Sequence, residues 1–146
     1  MLTSLYYSTA YSHELINEKM VQRRLASLQQ TVDEYVLSAA PDYVSIYERY
    51  IAKLLLRENV LFLKYEEMVG DFPAWLDRLT QHCELSDQVN AIAQIKEGAN
   101  FKVEKEDVYS QRRQVTPGDH HRKLKLKTVE QLNAMFSGVL EQLNYQ

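Results

Sequence analysis

The sequence predicts a mainly α-helical chain with one clear strand. Three observations carry that expectation. Apolar residues recur at helical spacing near both ends of the chain, and a single short run is continuously apolar. The four glycines are Gly70, Gly98, Gly118 and Gly138, so none precedes residue 70. The first half therefore has no strand-loop-helix phosphate cradle, because backbone N–H groups close on phosphate oxygens only where glycines allow it.

From Leu5 to Leu37 the residues Leu15, Met20, Val21, Leu25, Leu28, Val32 and Val36 form a stripe that predicts two helices, or one long bent helix. Ala39-Ala40-Pro41-Asp42 is expected to break it, since proline lacks a donor and crowds the preceding turn. A second pattern, Tyr43, Ile46, Tyr47, Tyr50, Ile51, Leu54 and Leu55, predicts a tyrosine-rich helix to about Glu58. Val60-Leu61-Phe62-Leu63-Lys64-Tyr65 reads as a strand buried on both faces. Asp71-Phe72-Pro73 places proline in the first turn of a helix to about His82, and Ser86-Asp87 is expected to cap another that ends near Lys96, before Gly98. Residues 99 to 127 have no sustained period and read as a long loop. Thr128-Val129-Glu130-Gln131 offers a capping box for a last helix with Val129, Leu132, Met135, Phe136, Val139, Leu140 and Leu143 on its apolar side.

An apolar strand without a partner leaves backbone groups unpaired. The chain is thus expected to form a homo-oligomer or to complete a sheet with an upstream, N-terminal half. Residues 1–146 read as one domain, with no repeat or linker-like run. No apolar run approaches the roughly 20 residues of a membrane helix. The lone Cys83, expected to be a small buried thiol, excludes an intramolecular disulfide and points to a reducing, cytoplasmic setting.

The net charge of −3 hides a basic segment: six of the 17 Lys and Arg residues lie between Arg112 and Lys127, opposed only by Asp119. A local field of one sign concentrates oppositely charged ligands. A guanidinium offers a phosphate two parallel hydrogen bonds, so Arg113 is the leading candidate, with Arg112 and the neutral Gln114 beside it. A solvated charged loop is the ordinary alternative. His120 and His121 are adjacent, without the spacing of a metal-ligand set, and no metal site is expected. The acidic balance and the lack of a recognised reading motif weigh against nucleic-acid binding. A helical dimerisation or interaction module remains the other functional class.

The order of motifs resembles the C-terminal half of the sulfotransferases that use 3′-phosphoadenosine 5′-phosphosulfate (PAPS). Met1-Leu2-Thr3-Ser4-Leu5-Tyr6-Tyr7-Ser8 is similar to the segment after that family's Arg-Asp-Pro-Arg-Asp, with Ser4 at the serine that grips the cofactor's 3′-phosphate. Tyr43-Val44-Ser45-Ile46-Tyr47 resembles Tyr-Gly-Ser-Trp-Tyr, placing Tyr43 near the adenine, with valine in place of glycine. Val60 to Met68 resembles a strand followed by Tyr-Glu-Asp-Leu/Met. Ala99-Asn100-Phe101 resembles Thr-Ser-Phe, which assigns Asn100 and Phe101 to the adenine and ribose region. Arg113-Gln114-Val115-Thr116-Pro117-Gly118-Asp119 lines up with Arg-Lys-Gly-x-x-Gly-Asp, departing from it at Gln114 and Val115.

The resemblance implies the later portion of a three-layer α/β fold of P-loop type, lacking the N-terminal nucleotide loop. It implies a site for the 3′-phosphoadenosine side of PAPS or of its product adenosine 3′,5′-bisphosphate (PAP), formed by Ser4, Tyr43, Asn100, Phe101, Arg112, Arg113 and Gln114. The family's glycine-rich loop and catalytic histidine match no residue here, so no catalytic residue is assigned. The chain is expected to begin inside a complete enzyme that transfers a sulfuryl group to a hydroxyl or amine, and to be inactive by itself.

Overall fold

The computed structural model describes residues 1–145; Gln146, the last residue of the predicted domain, lies outside them. Among the described residues every regular element is helical, and this corrects the expected strand and the three-layer α/β fold. Val60–Lys64 belongs to no regular element, and among the described residues no second strand lies beside it. An extended run becomes a strand only through a ladder of inter-strand hydrogen bonds, and hydrophobicity alone does not supply one.

Helix α1 spans Leu2–Tyr7 and runs into a π-helical turn, Ser8–Ser12. Helix α2 covers Glu18–Leu28 and is capped by Asn17, whose side chain accepts from the Met20 amide at 3.0 Å. The stripe predicted to be buried here is largely solvent-facing: Leu15, Leu25 and Leu28 are exposed. Arg24 ties this helix to the π turn, donating to the carbonyls of Thr9 and His13.

Helix α3 is one continuous element, Val32–Tyr50, with Pro41 inside it. The expected break does not occur. Pro41 itself is exposed, while Val36 and Ala40 on the buried face are both fully enclosed. That burial, together with a capping box, offsets the roughly 3 kcal/mol an interior proline costs. In the box the Glu34 amide donates to Thr31 Oγ1 at 3.3 Å, and the Thr31 amide donates to Glu34 Oε2 at 2.8 Å. A second π turn, Ile51–Leu55, closes this arm.

Helices α4 (Tyr65–Gly70) and α5 (Phe72–His82) follow, and α5 starts as predicted, with Pro73 in its first turn and Asp71 Oδ1 accepting from the Ala74 amide at 3.1 Å. Cys83 stands at the C-terminal cap of α5 and is exposed, contrary to the expected buried thiol, because the chain turns there beyond the packed stripe. Helix α6 (Val89–Gly98) begins after Ser86 and Asp87 and has no side-chain cap. In the predicted loop, a single turn of helix, α7, forms at His120–Lys123.

Helix α8 runs Leu126–Gln142 and starts two residues before the predicted capping box, with Thr128 buried inside it. Its cap comes from elsewhere: the Lys125 amide donates to Asp33 Oδ1 of α3 at 2.9 Å. The core joins α1, α3 and α8 through Leu2, Val36, Ala40, Leu124 and Val129, with Tyr43, Leu132 and Phe136 packed around them. This small core fixes α1 and the end of the basic segment on one side of the fold.

Candidate functional site

Residues 99–119 lack regular structure and are shaped instead by short side-chain to backbone bonds. Asn100 Oδ1 accepts from the Lys102 amide at 2.8 Å, Asp107 Oδ1 from the Tyr109 amide at 2.9 Å, and Ser110 Oγ from the Arg112 amide at 3.2 Å. The Tyr65 hydroxyl donates to the Val115 carbonyl at 2.9 Å and pins the segment to α4. At Pro117-Gly118 the chain reverses with a φ of +79° at Gly118, a conformation that favours glycine, and it enters α7 directly. The reversal brings Asp119, Arg122 and Lys123 back to Arg113.

Arg113 is 7% exposed and sits at the centre of a network of five charges. One terminal nitrogen of its guanidinium is bonded to Glu106, and the other donates to Asp119 Oδ2 at 2.5 Å. The guanidinium lies over the Tyr7 ring, 4.3 Å from its centroid. Arg122 donates to Asp119 Oδ1 at 2.5 Å and stands 3.8 Å from Glu106 Oε2. Lys123 Nζ donates to Glu106 Oε2 at 2.9 Å and lies 5.4 Å from the Tyr7 centroid.

The electrostatics follow from this geometry. Burial works to raise the Asp119 carboxyl, but the bonds from Arg113 and Arg122 outweigh it and hold the group below the usual carboxylate range. Glu106 is likewise lowered against the pull of burial, by Lys123 and Arg113. Burial lowers His120, and the neighbouring His121 and the chain's amino group push the same way, favouring the neutral imidazole. Tyr7 belongs to a tyrosine cluster in which Tyr6 meets Tyr7 at 5.2 Å and Tyr35 at 5.3 Å, while Tyr109 packs edge-on against Tyr11 at 5.8 Å. Burial and the Tyr11 hydroxyl push Tyr6 up to about 12.

Three cations converging on two carboxylates leave one net positive charge, beside aromatic rings and on a fixed backbone turn. That net charge favours an anionic neighbour, and among the described residues no group of three or more His, Cys, Asp or Glu side chains is placed to hold a metal ion. The chain matches the sulfotransferase domain family over residues 1–143. It belongs to that family. No curated protein and no solved structure matches it.

Within this sulfotransferase-family chain the seven residues singled out from the sequence are spread over several places. Arg113 and Gln114 share the network, where Gln114 Oε1 accepts from Arg122 at 3.4 Å; Ser4 is exposed on α1, one turn before Tyr7. Arg112 donates to the Asn100 carbonyl at 2.8 Å, so these two lie together. Phe101 packs on Phe72 of α5 at 5.1 Å, and Tyr43 packs on the core around Leu2 and Val36. Tyr7, Glu106, Arg122 and Lys123 were not singled out individually. Spacing could have flagged Tyr7, three residues after Ser4, whereas Glu106 stands in an aperiodic stretch with nothing to distinguish it from the other acids. An open groove between α5 and α6, lined by Asp77, Thr80, Ile92 and Lys96, shares no residue with the network.

Proposed function

We propose that the basic turn holds the 3′-phosphate of PAPS or PAP, and that the chain carries the 3′-phosphoadenosine side of a sulfotransferase cofactor site. The observation that supports this most is the seat of Arg113 on Tyr7, one helical turn from Ser4. A guanidinium, two further cations and a hydroxyl-bearing helix thereby lie in one region. Arg113 supplies a charge-assisted hydrogen bond, Arg122 and Lys123 the surrounding charge, and Gln114 a neutral donor. The Arg112 and Asn100 pair, with Phe101, lies toward the ribose and adenine, and Tyr43 serves the base from α3.

Titration calorimetry with PAP tests this reading. Saturable binding is expected, lost in Arg113→Ala and weakened in Arg122→Gln, an exposed position whose change spares the fold. No heat of binding to the wild-type chain, or full binding by Arg113→Ala, defeats the reading.

A specific observation also favours self-association. The accessible surface is 10512 Å² for 17.1 kDa, whereas a compact chain of that mass exposes about 7,800 Å². Ile16, Leu56 and Leu126 are among the large apolar side chains left open. Sedimentation over a range of concentrations tests for a dimer, and a mass fixed at that of one chain excludes it.

A further inference from the structure

Glu106 differs from Asp119 in a way that matters for any anion entering the network. Asp119 is buried and immediately precedes α7, where its carbonyl accepts the Arg122 amide at 3.0 Å and the Lys123 amide at 3.2 Å. Glu106 is partly open to water, its side chain 25% exposed, and it stands in an irregular segment whose nearby backbone bond, Asp107 amide to Arg113 carbonyl, is long at 3.4 Å. Yet this carboxylate collects Arg113 and Lys123 directly and has Arg122 at 3.8 Å. Its two oxygens thus lie at the meeting point of all three cations, where phosphate oxygens would be best served.

We propose that Glu106 is a built-in competitor: its carboxylate occupies the anion position, and ligand binding requires it to swing out while Asp119 stays. This rests on the reading of the basic turn as a phosphate site. Charge counting shows what the exchange selects. With both carboxylates in place the network carries one net positive charge, and with Glu106 displaced it carries two. The emptied position therefore matches a dianionic phosphate monoester better than a singly charged diester, and the terminal 3′-phosphate of PAP is such a monoester. Glu106 acts as a specificity and gating residue and needs no contact with the ligand.

The test compares PAP binding by the wild-type chain, Glu106→Gln and Glu104→Gln, the last removing an exposed charge from the same segment that has no place in the network. Glu106→Gln is expected to bind about tenfold tighter, the scale of one modest charge interaction removed from the competition, with Glu104→Gln near wild type. In the wild-type chain, hydrogen exchange at the Asp107 amide is expected to quicken on saturation with PAP. Equal affinities for wild type and Glu106→Gln overturn the competition while leaving the phosphate site intact. Equal gains in both variants reduce it to general field relief and also overturn it. Slower or unchanged exchange at Asp107 does the same without relying on a variant, and no binding by any chain sinks both this inference and the reading beneath it.

Discussion

Asp33 and Lys125, 92 residues apart, form the cap of the C-terminal helix: the Lys125 amide donates to Asp33 Oδ1 at 2.9 Å. The carboxylate also takes a bond from the Thr128 hydroxyl, and these bonds hold its pKa below the usual value although burial works to raise it. An N-terminal cap normally comes from the residue that starts the helix. Here a neighbouring helix supplies it, so one side chain couples local helix ending to tertiary packing. Asp33→Ala is expected to cost about 1–2 kcal/mol, and Asp33→Asn less, because it keeps an acceptor. Urea unfolding followed by circular dichroism measures both, and equal losses contradict the capping role.

Arg113→Met alone removes one of the two guanidinium partners of the buried Asp119, leaving Arg122, and is expected to destabilise by about 1.5–3 kcal/mol. Combining it with Glu106→Gln and Asp119→Asn neutralises the two carboxylates that lost a partner and is expected to recover part of that loss. Thermal unfolding of the single and triple variants decides this. A triple variant no better than the single one shows that the ring contact with Tyr7 matters more than the ion pairs.

Acid stability is expected to fall in two stages. His120 binds its proton less readily folded than unfolded, so stability is full above the ordinary histidine pKa, about 6.5, and declines as pH drops through it. Glu106 and Asp119 are lowered in the fold, so their contribution is present above the ordinary carboxylate range, about pH 4, and is lost as pH falls through and below it. Urea midpoints across pH should show the first stage vanish in His120→Gln and the second become shallower in Glu106→Gln. Unchanged profiles in both variants contradict the assignment.

Tyr145 donates its hydroxyl to Glu66 Oε2 at 3.1 Å, and Lys64 Nζ lies 4.4 Å from its ring centroid and donates to the Asn144 carbonyl at 2.6 Å. Burial first, then the Glu66 charge and bond, push Tyr145 up to about 12. In an absorbance titration of the ten tyrosines, Tyr145 and Tyr6 should ionise last. Tyr145→Phe should remove one ionisation from the high-pH end; loss of one near pH 10 instead contradicts this assignment.

What could be read in the sequence was what depends on near neighbours. Helix α5 was legible because Asp71 and Pro73 act within one turn, and the basic turn because cations, proline and glycine crowd a short stretch. Tertiary context decided the rest. Pro41 was read as a breaker because its cost is local while the burial of Val36 and Ala40 that offsets it is not. The final helix was read from a capping box at Thr128, but its cap belongs to Asp33 in a different element. Arg113 could be named, whereas its buried pairing with Glu106 could not, since no spacing rule links an irregular segment to itself. Val60–Lys64 had the composition of a strand and lacked the one requirement that composition cannot express, a partner.

That same stretch sets a condition on handling the protein. Four consecutive apolar residues, Val60 to Leu63, lie outside any helix, and the only charge among residues 60–64 is Lys64, itself engaged by Asn144. Short apolar segments of this kind template cross-β growth once several chains meet. A concentrated solution is where pairing between copies at residues 60–64 would first show, as light scattering that rises with concentration.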